Sequence, residues 1–449
     1  MKVAVVGAGV GGLAAGIELA ASGHEVTVFE REATPGGKCA RVERDGFVWD
    51  AGPSLLTMPW VFADLGLDLE RVEPVTRYEF ADGSVLELSA DLPRALAALE
   101  DWSPGSGADW MRFLALCASM WRASERFLTG PPPFPPRRPE PGEPIPDPRD
   151  ALRVKPWWTL RDLARATARD PRLQMVIERF ATYAGADPRR APAALAVAGY
   201  VEHAFGAWHP SGGMYELVLA MVRRLEALGG ELRLSTPVDR IGVAHGRVWG
   251  VETTAGAFTA DAVVTDVDER VVRTRLLGRP ARRRTPSLSG LALLLGVRDD
   301  APAHHRILFP PDYDAEFDDI FDGKRMPRDP TLYVCAPPGQ GWFVLVNAPA
   351  SPADWDEATA AVLDRLNVRP SVVERVTPAD LGGPIYGGAP HGRLGAMRRP
   401  GNRIRGVEGL WLTGGTVHPG GGLPLVTLGG RSVARQLSGS RPAQVPSAP

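Results

Sequence analysis

Lysine is scarce in this chain of 449 residues: of 51 cationic side chains only Lys2, Lys38, Lys155 and Lys324 are lysines. A site built from residues beyond 324 must do without an amine side chain. Cysteine is nearly absent, with Cys39, Cys117 and Cys335 at no pair spacing, which argues against a disulfide framework and a cysteine-based zinc site; a reducing, cytoplasmic compartment is expected. No charge of one sign dominates, since 51 cationic against 53 acidic residues leave a net charge of -2. Bulk attraction to nucleic acid is thereby excluded, and no nucleic-acid partner is expected. Long hydrophobic runs are missing as well: the uncharged run Leu291–Val297 falls far short of the roughly 18 residues that span a bilayer. The stretch Val3–Ile17 could be misread as a secretory signal, but Gly7, Gly9, Gly11, Gly12 and Gly16 weaken such a helix and we reject that reading.

What is present suits a large soluble globule, with 44% hydrophobic and 23% charged residues and a length that allows two or three folding units. Lys2–Val6 is an apolar, β-branched run of the kind buried on both faces of a parallel sheet. A glycine-rich turn follows, then Leu13, Ala14, Ile17 and Ala20 at helical spacing, Gly23 as a C-terminal glycine, and a second strand over Glu25–Glu30. These thirty residues read as one βαβ unit. Ten prolines between Pro131 and Pro148 make 130–149 neither helix nor central strand but a stiff connector, an SH3-type ligand being the alternative. Beyond it Asp170-Pro171 opens a helix running towards Gly185, and from Gly213 the α/β pattern returns. It comprises a helix over Tyr215–Leu228, strands near Glu231–Leu234, Val248–Thr253, Ala262–Thr265, Leu291–Val297, Leu332–Cys335 and Trp342–Val346, and a helix over Trp355–Leu366. The tail 438–449 is expected to be disordered.

Gly7, Gly9 and Gly12 match G-x-G-x-x-G between a predicted strand and a predicted helix, and Glu30 closes the next strand. Gly7 permits the tight turn, Gly9 lets backbone approach a pyrophosphate, Gly12 allows close helix packing, and Glu30 can accept from ribose hydroxyls. At the other end, Leu410-Trp-Leu-Thr-Gly414-Gly415-Thr-Val-His418-Pro-Gly420-Gly-Gly-Leu423-Pro424 sets a strand, a glycine turn and a proline-initiated helix in succession. The start of such a helix can stabilise negative charge developing on a bound ring. His418 is read as a positioning residue, with acid–base work as the alternative.

A second glycine pair soon after the acidic residue, Gly36-Gly37-Lys38, resembles the extension found in large FAD-dependent oxidoreductases, including amine oxidases and carotene desaturases. Gly46-Phe-Val-Trp-Asp50-Ala-Gly52-Pro53-Ser54-Leu55 resembles the segment that passes beside the flavin in that group. Asp50 is read as a buried carboxylate holding loop N–H groups, or else as catalytic. Over the whole chain the combination resembles the bacterial carotenoid (phytoene) desaturases. Arg179-Phe-Ala-Thr-Tyr183-Ala-Gly, Ala191-Pro-Ala, Val201-Glu202-His203, Gly212-Gly-Met214 and Gly383-Pro-Ile-Tyr386-Gly look most like the hydroxy- or methoxyneurosporene desaturases.

That resemblance implies an amine-oxidase-like α/β architecture: a discontinuous Rossmann-type FAD domain (1–75, 206–280, 390–437) and an inserted sheet-plus-helix substrate domain (76–205, 281–389). It places Glu30 and Lys38 at the adenosine half of FAD, with Gly36 and Gly37 supplying backbone donors. Ser54 and Leu55 fall on the flavin side, Val238 at the adenine, and Asp266 near the dinucleotide, where the family often has Asn. Leu410, Gly415, Gly420 and Leu423 fall at the ribityl and flavin end. No catalytic residue and no metal ligand is assigned. Glu202 and His203 are candidate proton acceptors, a core-satisfied pair being the other explanation. The implied substrate is a lipophilic carotenoid desaturated at C-3,4 near a hydroxylated end, with oxygen or a quinone as electron acceptor.

Peripheral association with the inner face of the cell membrane is a further expectation, from Trp157, Trp158 and Arg161, Arg165 and Arg169 spaced along one helix face; an ordinary solvated helix with two core tryptophans is the other reading. Alternatives for the activity are a phytoene-type multistep desaturase, a double-bond isomerase retaining FAD, and a flavin amine oxidase.

Overall fold

The computed structural model describes residues 1–129, 148–299, 301–392, 395 and 398–439. Most of the proline-rich connector and tail residues 440–449 lie outside them. Two boundaries differ from expectation. Pro148 and Arg149 belong to a helix, Pro148–Arg153, because the first helical turn needs no N–H from its leading residues and suits the fixed φ of proline. Ser438 closes the helix Leu423–Ser438, its hydroxyl 2.9 Å from His24 Nε2.

Lys2–Val6 forms the middle of a five-stranded parallel sheet ordered Leu410–Leu412, Ala262–Thr265, Lys2–Val6, Glu25–Phe29, Glu231–Arg233. Three remote chain segments therefore build one sheet. The strand pairs Val3 with Val26 on one side and Val3 with Ala262 on the other, so all but Lys2 are buried and Val3–Val6 carries no polar side chain. Strand order runs outward in opposite directions from Lys2–Val6, which opens a crevice beyond its C-terminal end, the place where open α/β sheets bind ligands.

The helix Val10–Ala21 starts in that crevice and is buried along nearly its whole length, against Tyr215–Ala227 and Leu423–Ser438. Leu13 alone, fully buried, contributes roughly 2 kcal/mol by removal from water. Gly430 sets the approach of the two helices: a Cβ there would collide with the Gly11 carbonyl oxygen.

A seven-stranded sheet makes the second layer, ordered Val373–Val376, Ser289–Leu295, Trp342–Ala348, Leu332–Cys335, His305–Leu308, Thr76–Glu79, Val85–Leu88. Only the contact between His305–Leu308 and Thr76–Glu79 is parallel. Ser289–Leu295 is buried at every position because both faces are covered. Leu291, Leu293 and Leu295 pack with Val362 of the Trp355–Leu366 helix, while Ala292 and Leu294 pack with Phe47 and Trp49. The helices Ser106–Thr129, Leu160–Thr167, Pro171–Glu178 and Val197–Phe205 pack around Trp110, Phe113, Leu163, Ile177 and Phe180.

Candidate cofactor and substrate site

The turn after Lys2–Val6 begins with Gly7 at φ 97°, a conformation that glycine alone adopts without strain, and its N–H donates to the Phe29 carbonyl over 2.8 Å. Gly9 precedes the helix and Gly12 lies in its first turn, so the N–H groups at 10–12 have no intrahelical acceptor, and those of Gly11 and Gly12 go to Asp266. Glu30 is buried at the foot of the turn. Its Oε2 accepts from the Ala8 N–H at 2.7 Å and its Oε1 from the Glu32 N–H at 3.0 Å, which fixes the carboxylate and leaves each oxygen a further lone pair.

The second glycine pair docks on the first. The Gly36 N–H donates to the Ala8 carbonyl at 2.8 Å, Gly36 bridges to Gly9, and Gly37 follows at φ 58° beside the Gly9 Cα. Lys38 reaches across the crevice to the Ile385 carbonyl at 2.8 Å, in the field of Asp266 and Asp268. Val238 begins the strand Val238–Ala244 next to Phe29, positioned through Thr236, whose N–H donates to the Glu30 carbonyl at 2.7 Å.

Asp266 follows Ala262–Thr265 and so falls beside the glycine turn. Its carboxylate accepts from the N–H groups of Gly11 and Gly12, and a Cβ on Gly9 would collide with it. Some of its surface stays open to the crevice, although protein wraps the carboxyl on nearly every side. This desolvation, together with nearby Glu30, outweighs the backbone donors and Lys38 and raises the carboxyl to about 7. The carboxyl therefore takes up a proton more readily than an ordinary carboxylate, which eases the approach of an anionic phosphate above the helix start.

The C-terminal strand places Leu410, 1% exposed, at the sheet edge, and the following turn carries Gly415 and Gly420 around Arg399. Arg399 donates to the Gly415 carbonyl at 2.8 Å, and burial lowers its guanidinium to about 10. Leu423 is the first residue of the closing helix and is buried, with Pro424 behind it. A glycine turn at a helix start, a fixed carboxylate and a second glycine turn capped by a half-buried cation is a donor set that fits an adenine dinucleotide joined to a planar ring.

Ser54 and Leu55 lie where the two layers meet. Leu55 packs on Val72, Val75 and Ala207, while the Ser54 hydroxyl bonds to the Tyr333 hydroxyl. Asp50, nearby, holds the N–H groups of Met214 at 2.8 Å and Tyr215 at 3.3 Å, as expected of a carboxylate that fixes a loop. Sequence reasoning missed His304, His305, Tyr333 and Cys335 around Ser54. The His305 ring nitrogens lie 3.2 Å from the Val75 and Ser54 carbonyls, and ligand atoms of His304, His305 and Cys335 fall within 4.8 Å of one another. Burial lowers His305 to about 4 and His304 to about 2, so both imidazoles are neutral. The signal was faint: a histidine doublet, and Tyr333 and Cys335 two apart on one strand face.

Glu202 and His203 are not the satisfied pair that the sequence allowed. Glu202 is fully buried; its Oε2 accepts from the Tyr183 hydroxyl at 2.6 Å, while Oε1 has no hydrogen-bond partner among the described residues. His203 sits 3.9 Å away, held neutral by burial. The arginine stripe is corrected too. The helix covers only Leu160–Thr167, so Arg169 lies past its end and bonds buried Asp109, and Arg161 is locked to Glu178 and Asp314. Arg165 and Trp157 remain exposed, whereas Trp158 packs on the core. Among the described residues, no helix is long and apolar enough to cross a membrane.

A family model for flavin containing amine oxidoreductases matches residues 10–292. A hydroxyneurosporene desaturase of Rubrivivax gelatinosus is 35% identical, over 97% of this chain and 93% of its own length. A 4,4'-diapolycopene oxygenase of a Methylomonas species is 32% identical, over 97% of this chain and 98% of its own. Among solved structures, cyclohexylamine oxidase from Brevibacterium oxydans IH-35A has a TM-score of 0.61 at 17% identity and 98% coverage of both chains, a likeness of fold.

Proposed function

The chain belongs to the flavin-containing amine oxidoreductase family and is an FAD-dependent oxidoreductase, and from that premise we propose that it is a carotenoid desaturase acting at C-3,4 beside a hydroxylated end of an acyclic or monocyclic carotenoid. The observation that carries the substrate class is the near-full-length likeness to a hydroxyneurosporene desaturase. When bound, FAD supplies the two-electron acceptor for a hydride, the second hydrogen leaving as a proton. The other steps belong to the chain's own groups.

In this reading the first glycine turn with the helix start at Val10 and the Gly36–Gly37 turn bind the pyrophosphate, Glu30 and Lys38 the adenosine half, and Val238 the adenine. Asp266, its carboxyl raised by burial, takes up a proton more readily than an ordinary carboxylate, which lets phosphate lie beside it. Ser54, Leu55, Leu410, Gly415, Gly420 and Leu423 line the flavin end, with Arg399 supplying positive charge next to Gly415. The segments 1–75, 206–280 and 390–437 make the cofactor domain, and the seven-stranded sheet with its helices makes the substrate domain. The apolar contacts of that second layer exclude water and hold the polyene. Such contacts discriminate by only about 1–3 kcal/mol per methylene, so positional choice along the chain needs a polar anchor.

Electrons leave for oxygen or a quinone, and the carotenoid is delivered at the inner face of the cell membrane. Co-expression with carotenoid pathways followed by pigment analysis tests the reading. A 3,4-desaturated hydroxycarotenoid supports it, and conversion of phytoene alone replaces it with the multistep alternative.

A further inference from the structure

Desaturation at C-3,4 beside a C-1 hydroxyl sets a distance requirement. Four bonds of about 1.5 Å separate the hydroxyl oxygen from C-4, so the oxygen lies no more than about 5 Å from the reacting carbons. A site that recognises the hydroxyl must therefore adjoin the flavin-side segment rather than sit at the far end of a tunnel.

Next to that segment lies a buried polar island. Arg179 and Tyr183 are on the 3-10 turn Arg179–Ala184, and Glu202 is on the helix Val197–Phe205. Gly199 allows the two to press together, since a Cβ there would meet the Phe180 ring at 2.5 Å. Arg179 Nη2 donates to the Tyr183 hydroxyl at 3.1 Å, and that hydroxyl donates to Glu202 Oε2 at 2.6 Å. The relay uses one end of each charged group. Among the described residues, Arg179 Nη1 and Glu202 Oε1 are buried with no hydrogen-bond partner, as is the hydroxyl of Tyr78, over whose ring the guanidinium lies at 5.6 Å. Tyr333 links the island to the flavin side, bonded to Ser54 while in the field of Tyr183 and Arg179.

An idle donor and an idle acceptor in one dry cluster are expensive to leave unmet, because each forfeits its hydration without replacement. Nη1–H can only donate and Oε1 can only accept. A hydroxyl does both, an ether oxygen only accepts, and a hydrocarbon end does neither.

We propose that Arg179, Tyr183 and Glu202 form the recognition site for a hydroxyl at the substrate's end, with Arg179 Nη1 donating to its oxygen and Glu202 Oε1 accepting its proton. This rests on the C-3,4 reading above and adds its specificity determinant. The hydroxylated carotenoid binds best, its methoxy counterpart keeps one of two bonds, and the compound without oxygen strands both groups. Sites built around a substrate hydroxyl reject analogues lacking it by up to about 10⁴–10⁵-fold.

The test measures equilibrium binding of the three carotenoids to full-length holoenzyme with its flavin chemically reduced, so that no turnover occurs, read by the shift of the carotenoid's visible absorption. Wild type should prefer the hydroxylated compound over the oxygen-free one by at least about 100-fold, with the methoxy compound between. The triple variant Arg179→Met, Tyr183→Phe, Glu202→Met removes every partner at once. It should bind the oxygen-free carotenoid as well as or better than the hydroxylated one, a reversal that a misfolded chain cannot produce; flavin content and Tm check its fold. Equal wild-type affinities, or a triple variant that keeps the preference, overturn the proposal even where pigment analysis of the wild type still gives the 3,4-desaturated product. If pigment analysis shows no conversion of hydroxylated carotenoids, the C-3,4 reading falls and takes this assignment with it.

Discussion

Asp266 gives the cofactor crevice a pH signature. Its carboxyl lies at about 7 in the folded chain against an ordinary 3.8, because burial disfavours the ionised form. The native state thus binds more proton than the unfolded chain between roughly pH 4 and 7, so apoprotein stability falls as pH rises through that window and levels off above it. One such group contributes at most about 1.4 kcal/mol per pH unit. Asp266→Asn should flatten the slope by up to that amount while retaining an acceptor for the Gly11 and Gly12 N–H groups. Denaturant unfolding at pH 5, 6, 7 and 8 checks it, and parallel curves for variant and wild type would contradict it. Glu316, also raised to about 7 by burial, tilts both curves alike and cancels in the difference.

At the scale of elements, the contact between the first and last helices decides whether the crevice exists. Gly430→Ala pushes a Cβ into the Gly11 carbonyl, and overpacking of this kind costs about 1–3 kcal/mol. Urea midpoints should fall accordingly, with reduced flavin retention on gel filtration; unchanged values of both would contradict the account. This contact was only partly legible in the sequence. Lys2–Val6, Ala262–Thr265, Leu332–Cys335 and Trp355–Leu366 appear where their patterns placed them, because composition, alternation and capping are local properties. Which strands become neighbours is not local, and the order of the seven-stranded sheet left no trace in any single segment. The glycine turns were readable because only glycine fits them. The Arg179–Tyr183–Glu202 island was not: its residues fall in motifs visible in the sequence, but their idle atoms show only once burial is known.

At the scale of the whole molecule, segments from both ends of the chain build the five-stranded sheet and its crevice. FAD binds the native state but not the unfolded chain, so at a thousandfold excess over Kd it should add about 4 kcal/mol of stability. Differential scanning fluorimetry of apoprotein with and without FAD checks this; a Tm indifferent to FAD would contradict it. Delivery from a bilayer makes a further prediction. Of the two tryptophans Trp157 is the exposed one, so Trp157→Ala should lower flotation with anionic liposomes several-fold while Trp158→Ala acts mainly on stability. Equal flotation of wild type and Trp157→Ala would remove that contact from the account.

The most direct measurement is one anaerobic turnover. Holoenzyme mixed with an equimolar 1-hydroxycarotenoid should lose its oxidised flavin absorption once per chain and yield the 3,4-desaturated product in equal amount. A flavin band that stays unbleached while the carotenoid is bound would contradict the account.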